Sequence, residues 1–203
     1  MKKVGLYFGT FNPIHVGHLI IANYMADFTD LDEVWLVVSP QNPFKQKSSL
    51  LADYHRLAIA RIAVEDNTRV KVTDVEFSLP KPSYTINTLL SLEEKNPDHE
   101  FALIMGEDNL RTLHKWKSFD DIVNRHKIYV YPRVLTIQEK EDMKPHRVRR
   151  ELRDHSNVIQ VDAPVMKLSA SFIRRAIKEG HDVRYLLTES VYRYITEMHF
   201  YEN

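Results

Sequence analysis

The sequence predicts an α/β fold: a doubly wound parallel sheet with helices on both faces and a small C-terminal helical cap. Three observations predict it. Six short apolar runs recur along the chain, helix-like stretches separate most of them, and the final part holds two helical patterns with no strand between them. Continuous apolar runs read as strands buried on both faces, and strand–helix alternation favours a parallel sheet.

The elements follow in order. Val4–Phe8 is the first strand and ends at Gly9; a helix over Val16–Phe28 follows. Val34–Val38 (VWLVV) ends at Ser39 and Pro40, and a polar surface segment, Gln41–Ser49, leads to a helix over Leu51–Glu65. Val70–Val75 is a weaker, alternating run, followed by a helix over Thr85–Lys95. Phe101–Met105 (FALIM) ends at Gly106, and Ile128–Tyr131 ends at Pro132. A helix over Ile137–Asp154 then precedes the sixth strand, Val158–Val161. Asp142–Arg150 is, with Gln41–Ser49, the segment expected to be most mobile. Ser169–Glu179 and Thr188–Met198 form the cap. The chain therefore reads as one domain, a core over 1–165 with a helical subdomain over 166–203.

Composition narrows the function classes. The chain has 203 residues, 43% hydrophobic and 28% charged, which suits a globular protein with a sizeable core. Lysine plus arginine and aspartate plus glutamate are both 28, so no basic excess points to nucleic acid. Cysteine is absent, which excludes disulfides, thiolate metal sites and cysteine nucleophiles. The N-terminal apolar run is broken by Asn12 and Pro13, unlike a signal peptide. No window reaches the roughly 18 apolar residues of a membrane span. The expected location is the cytoplasm, with no membrane partner. A homo-oligomer is compatible with the sequence, which does not define the assembly.

In open α/β sheets, ligands bind beyond the carboxyl ends of the strands. The first strand end carries GTFNPIHVGH, residues 9–18. Gly9 and Thr10 form a turn, Pro13 fixes a backbone angle, and His15 and His18 share one face at the start of a helix. Gly17 between them would let a ligand approach the backbone. Free N–H groups at a helix start favour an anion, and imidazoles add donors that can carry charge near neutral pH. Zinc is the rival ligand for a histidine pair at this spacing, but the motif holds no cysteine or carboxylate. Near the end of the chain, residues 168–175 read LSASFIRR. Here Ser169 can cap a helix, Phe172, Ile173, Ala176 and Ile177 form its apolar face, and Ser171 and Arg174 are neighbours on another. A hydroxyl and a guanidinium fork together suit phosphate. The plain alternative is an amphipathic helix with an exposed arginine.

The pair of motifs resembles the two signatures of the HxGH nucleotidyltransferase superfamily. The resemblance implies a Rossmann-like fold in which Gly9, Thr10 and Phe11 line the nucleotide cleft. His18 would meet the α-phosphate, His15 the outer phosphates, and Ser171 and Arg174 the phosphates from the far side. Three further segments are PQNPFK at 40–45, SYTINTL at 83–89 and GEDNLRTLHKWK at 106–117. By themselves, Lys45 could be a solvated loop lysine and Trp116 a core aromatic. In this order and spacing they resemble the bacterial nicotinate-nucleotide adenylyltransferases, over most of the chain. That resemblance implies transfer of AMP from ATP to nicotinate mononucleotide, in NAD biosynthesis. It implies that Asn42, Lys45, Tyr84, Thr85 and Trp116 hold the mononucleotide, and that Gly106, Asp108 and Arg133 belong to the ATP side. His15, His18, Lys45 and Arg174 would be the catalytic donors. Magnesium would arrive on ATP, with no dedicated protein ligand.

Three positions depart from the family pattern: Thr10, where glycine is usual, and Asn12 and Asn87, where aspartate is usual. Thr10 would narrow the turn slightly, and both asparagines lose a charge and keep hydrogen-bonding capacity. Nicotinamide mononucleotide is the rival acceptor, and a nucleotide-binding sensor without turnover is the rival from another class. Phosphopantetheine and cytidylyl transferases share the first motif, but the SYTINTL and GEDNLRTLHKWK segments speak against them.

Overall fold

Six strands, β1 (Lys2–Gly9), β2 (Glu33–Val38), β3 (Val70–Thr73), β4 (His99–Gly106), β5 (Ile128–Tyr131) and β6 (Val158–Gln160), form one sheet in the computed structural model, which describes residues 1–40, 50–132 and 150–202. Their order is β3-β2-β1-β4-β5-β6, and every neighbouring pair is parallel. The chain first builds outward from β1 to β3, then crosses back to β4 on the other side of β1. The direction reverses between β1 and β4, paired from Lys2↔His99 to Tyr7↔Ile104. A crevice opens at such a reversal, beyond the carboxyl ends of the two strands.

The helices follow from apolar faces that the sheet must cover. They are α1 (Val16–Phe28), α2 (Asp53–Ala63), α3 (Thr85–Lys95), α4 (Glu107–Thr112), α5 (Phe119–Arg125), α6 (Arg150–Arg153), α7 (Ala170–Lys178) and α8 (Glu189–Glu197). Strand residues alternate between two cores, as a pleated sheet requires. Leu36, Val38 and Ile104 pack with Met25 of α1 and Ile59 of α2 on one face. Leu6, Val37, Leu103 and Val130 pack with Leu89 of α3 and Ile122 of α5 on the other. Gly5 lets this central strand fit: a Cβ there would stand 2.6 Å from both Ile104 Cδ1 and Leu31 Cδ1.

The expected elements correspond closely to those found, with three differences. The run at Val70–Val75 stops at Thr73, and Val75–Ser78 turns as a 3-10 helix. Residues 107–125, left without helices by the sequence pattern, form α4, a 3-10 turn at Leu113–Lys115, and α5. Phe172, expected on the buried face of its helix, is 46% exposed, because α7 buries Ile173 and Ala176 and presents Phe172 outward. Ile173, Ala176, Val191 and Ile195 of the two C-terminal helices share the core of α1 and α2. The expected helix over Ile137–Asp154 and both segments expected to be mobile fall largely outside the described residues. Among the described residues, no helix is long and apolar enough to cross a membrane.

Candidate active site

The turn from β1 to α1 faces a cleft of about 290 Å³. One wall is the turn itself, Gly9 to Asn12 with His15, Gly17 and His18. The floor is the end of β4, Leu103 to Met105. Asn109, Trp116, Tyr131, Met166 and Ser169 close the remaining sides.

His15 is the residue that caps α1, with an extended backbone at φ −147°. Its ring stacks on His18, with centroids 3.7 Å apart and planes inclined by 23°. The backbone N–H of His15 donates to Nδ1 of His18 at 3.3 Å. That bond fixes the His18 tautomer, leaving its ring proton on Nε2, where it can be donated. His15 is buried, and burial lowers its pKa from 6.5 to about 4. It is therefore neutral at pH 7, not the charged donor that the sequence alone allowed. Its Nδ1 is buried and has no hydrogen-bond partner among the described residues. Gly17 has a nearer purpose than ligand access. A Cβ at Gly17 would lie 3.1 Å from two atoms of the His15 ring, so the glycine makes room for that ring.

Phe11 shapes the turn. Its φ is +44°, a left-handed value that costs energy for any residue but glycine. The ring is buried, edge-on to Tyr7 at 6.0 Å and to His18 at 5.2 Å. Apolar burial and the ring contacts offset the backbone cost and seat His18.

Arg174 joins the two ends of the sequence. Its Nη1 donates to the carbonyl of Asn12 at 2.7 Å and its Nη2 to Ser171 Oγ at 3.2 Å. Partial burial lowers its pKa, yet a guanidinium stays charged. Ser169 caps α7 by accepting from the N–H of Phe172 at 3.2 Å. Ser169 and Ala170 line the cleft, while Ser171 and Arg174 sit just beyond its lining.

The other expected residues divide. Trp116 lines the cleft, half-buried instead of fully in the core. Tyr84 is 42% exposed and, like Thr85 at the start of α3, lies outside the lining. The Lys117 ammonium sits 4.8 Å above the Tyr84 ring, so the Tyr84 segment does approach the Trp116 segment. Gly106 caps α4, and a Cβ there would meet Asp108 Oδ1 at 2.5 Å; neither residue lines the cleft, whereas Asn109 does. Asn42, Lys45 and Arg133 lie outside the described residues. Among those described, no group of three or more His, Cys, Asp and Glu residues is placed to hold a metal ion.

Sequence reasoning missed several residues. Tyr7 and Tyr131 line the cleft side by side, edge-on with hydroxyls 3.2 Å apart. Tyr131 was findable, since it ends a strand on the ligand side. Arg56 was not. It is fully buried, and its guanidinium donates to the carbonyls of Thr10, Ser39 (2.8 Å) and Leu51 (3.1 Å) and to Asp53 Oδ1 (2.6 Å). One side chain so ties the β1–α1 turn to the end of β2 and the start of α2.

Comparison with known proteins agrees with this geometry. The profile of the cytidylyltransferase-like family matches residues 6–176. A protein of Flavobacterium johnsoniae, described as a probable nicotinate-nucleotide adenylyltransferase, is 53% identical over 200 residues, covering 98% of this chain and 99% of that one. One of Christiangramia forsetii with the same description is 50% identical, covering 99% of each. The solved nicotinic acid mononucleotide adenylyltransferase of Plasmodium falciparum complexed with NaAD shares the fold, with a TM-score of 0.78 at 17% identity, over 100% of this chain and 98% of that one. Two sequence motifs meeting at a β1–β4 crevice and full-length likeness at this level lead to one assignment: the chain belongs to the nicotinate-nucleotide adenylyltransferase family of cytidylyltransferase-like proteins.

Proposed function

We infer that this protein transfers the AMP part of ATP to the phosphate of nicotinate mononucleotide, giving nicotinate adenine dinucleotide and pyrophosphate, as a step of NAD biosynthesis. The observation that carries the chemistry is the contact of Arg174 with the Asn12 carbonyl, which brings the second phosphate motif onto the first. The full-length relatives support the choice of acceptor.

The reaction is an in-line displacement at the α-phosphorus. A phosphate oxygen of the mononucleotide forms the new P–O bond, the bond to the β-phosphate bridging oxygen breaks, and pyrophosphate leaves with that electron pair. The attacking oxygen is already anionic, so no general base is required. The protein must hold two anions in line and stabilise charge that spreads over the α-phosphate. Alignment of bound reactants can supply about 7–11 kcal/mol. His18 is suited to the developing charge because its Nε2–H is held ready by the bond at Nδ1. His15, stacked beside it, offers a neutral N–H donor to the outer phosphates. Ser171 and Arg174 approach from the cap, and Lys45 and Arg133 complete the donor set in this reading. Trp116 gives the nicotinate ring a flat face, with Tyr84, Thr85 and Asn42 around it. Gly106 and Asp108 serve the ATP side. Magnesium enters as part of the substrate, carried on the triphosphate oxygens, as suits an ion that keeps waters and phosphate ligands. The reaction is placed in the cytoplasm. The chain acts as one nucleotidyltransferase domain, with the cap over 166–203 completing the phosphate site.

ATP labelled at the α-phosphate tests this reading. The label should pass to the dinucleotide, and γ-labelled ATP should give labelled pyrophosphate. In His18→Ala, kcat should fall about a hundredfold or more, the scale of a lost charge-stabilising donor, with the thermal midpoint unchanged. Wild-type turnover in that variant would remove His18 from the mechanism.

A further inference from the structure

The C-terminal tail reaches into the phosphate site. After α8 the chain reverses, with His199 at φ +52° and Tyr201 at φ +68°, two left-handed residues that are not glycine. The reversal is held by the Phe200 N–H donating to the Ile195 carbonyl at 3.1 Å and by the Phe200 ring against His55 of α2, centroids 4.6 Å apart. Strained backbone persists where the surroundings over-determine it, and such positions cluster at sites with a function. The reversal directs the Tyr201 hydroxyl to Asn12 Oδ1 at 2.8 Å.

Asn12 is the point where the site's separate segments meet. Its Oδ1 also accepts from the Leu51 N–H at 3.2 Å, and its carbonyl holds Arg174 at 2.7 Å. The side chain of Asn12 is thus pinned from two directions while its backbone carries the arginine. The residue is 4% exposed, so water does not replace a lost partner cheaply. Burial pushes the Tyr201 pKa up, so the hydroxyl remains a donor across the working range.

We propose that Tyr201 is a positioning residue for adenylyl transfer: by fixing Asn12 it sets the β1–α1 turn and the arginine seated on it, without touching substrate. The proposal rests on the adenylyl-transfer reading given above. If Tyr201 served only to pack the tail, its ring would suffice and the hydroxyl would be dispensable.

The test is a double-variant cycle on the full chain, read as dinucleotide formation from ATP and nicotinate mononucleotide. Tyr201→Phe should lower kcat about three- to tenfold, as expected for one buried hydrogen bond. KM for both substrates should stay within about twofold, and the thermal midpoint should move by only a few degrees. Asn12→Ala should lower kcat further, and adding Tyr201→Phe to it should change nothing beyond about twofold, because the hydroxyl acts through Asn12. In the Asn12→Asp background, which keeps the acceptor, Tyr201→Phe should retain its full effect; this arm decides the matter if Asn12→Ala does not fold. Unchanged kcat in Tyr201→Phe, or losses that multiply in the double variant, would overturn the proposal alone. A wild type that forms no dinucleotide would overturn the reading beneath it as well.

Discussion

Replacing His15 by glutamine should remove a pH dependence of stability that the fold itself creates. In the unfolded chain the imidazole takes its proton near pH 6.5; in the fold, burial delays protonation to about pH 4. Between those values the unfolded chain binds more protons than the folded one. Stability therefore rises with pH from about 4 to 6.5 and is level above, as far as this residue is concerned. At 1.36 kcal/mol per pH unit, the full interval corresponds to about 3 kcal/mol. The assay is urea unfolding of wild type and His15→Gln at several pH values from 7 down to 4. Other groups also titrate there, including His126, whose pKa burial lowers, but they cancel in the difference between the two proteins. Wild type should lose about 3 kcal/mol relative to the variant over that interval. A difference independent of pH, or an NMR titration of His15 centred at 6.5, would refute the argument that burial keeps this ring neutral.

Two further substitutions probe the packing and the ring pocket. Arg56→Met takes their shared charged donor from three backbone carbonyls and one partner from Asp53, which is partly exposed and also faced by Lys81 at 3.6 Å; the lost bonds to a charged donor together cost about 3–5 kcal/mol. In a domain of this size the thermal midpoint should fall by about 10 °C, measured by calorimetry; a shift under about 3 °C would show that the site relaxes around the loss. Trp116→Ala should raise KM for nicotinate mononucleotide about tenfold, the scale of one lost aromatic stacking contact, with KM for ATP within about twofold. Equal increases for both substrates would move Trp116 out of the ring pocket.

The parts legible in the sequence were those governed by local periodicity and by motif. Buried strands announce themselves as apolar runs, and α1 and α3 were bounded correctly because their apolar spacing starts and stops sharply. The two sequence motifs named His15, His18, Ser171 and Arg174, and the fold brings Arg174 to Asn12 across 162 positions. Other features depend on tertiary placement. The helices at 107–125 are short and sit among charged residues, so no helical period builds up. Phe172 looked apolar and inward, yet helix rotation is set by Ile173 and Ala176. Arg56 and Tyr201 lie far in sequence from the turn they hold, and neither belongs to a motif. His15 looked like a titrating donor because the sequence does not show how deeply its ring is buried.

The central claim is adenylyl transfer to the acid form of the mononucleotide. It is tested most directly by pyrophosphate release with ATP and magnesium, run in parallel on nicotinate mononucleotide and nicotinamide mononucleotide. Release should require both reactants, with a higher kcat/KM for the acid. A higher kcat/KM for the amide would contradict the assignment of the ring pocket, and no release with either would contradict adenylyl transfer itself.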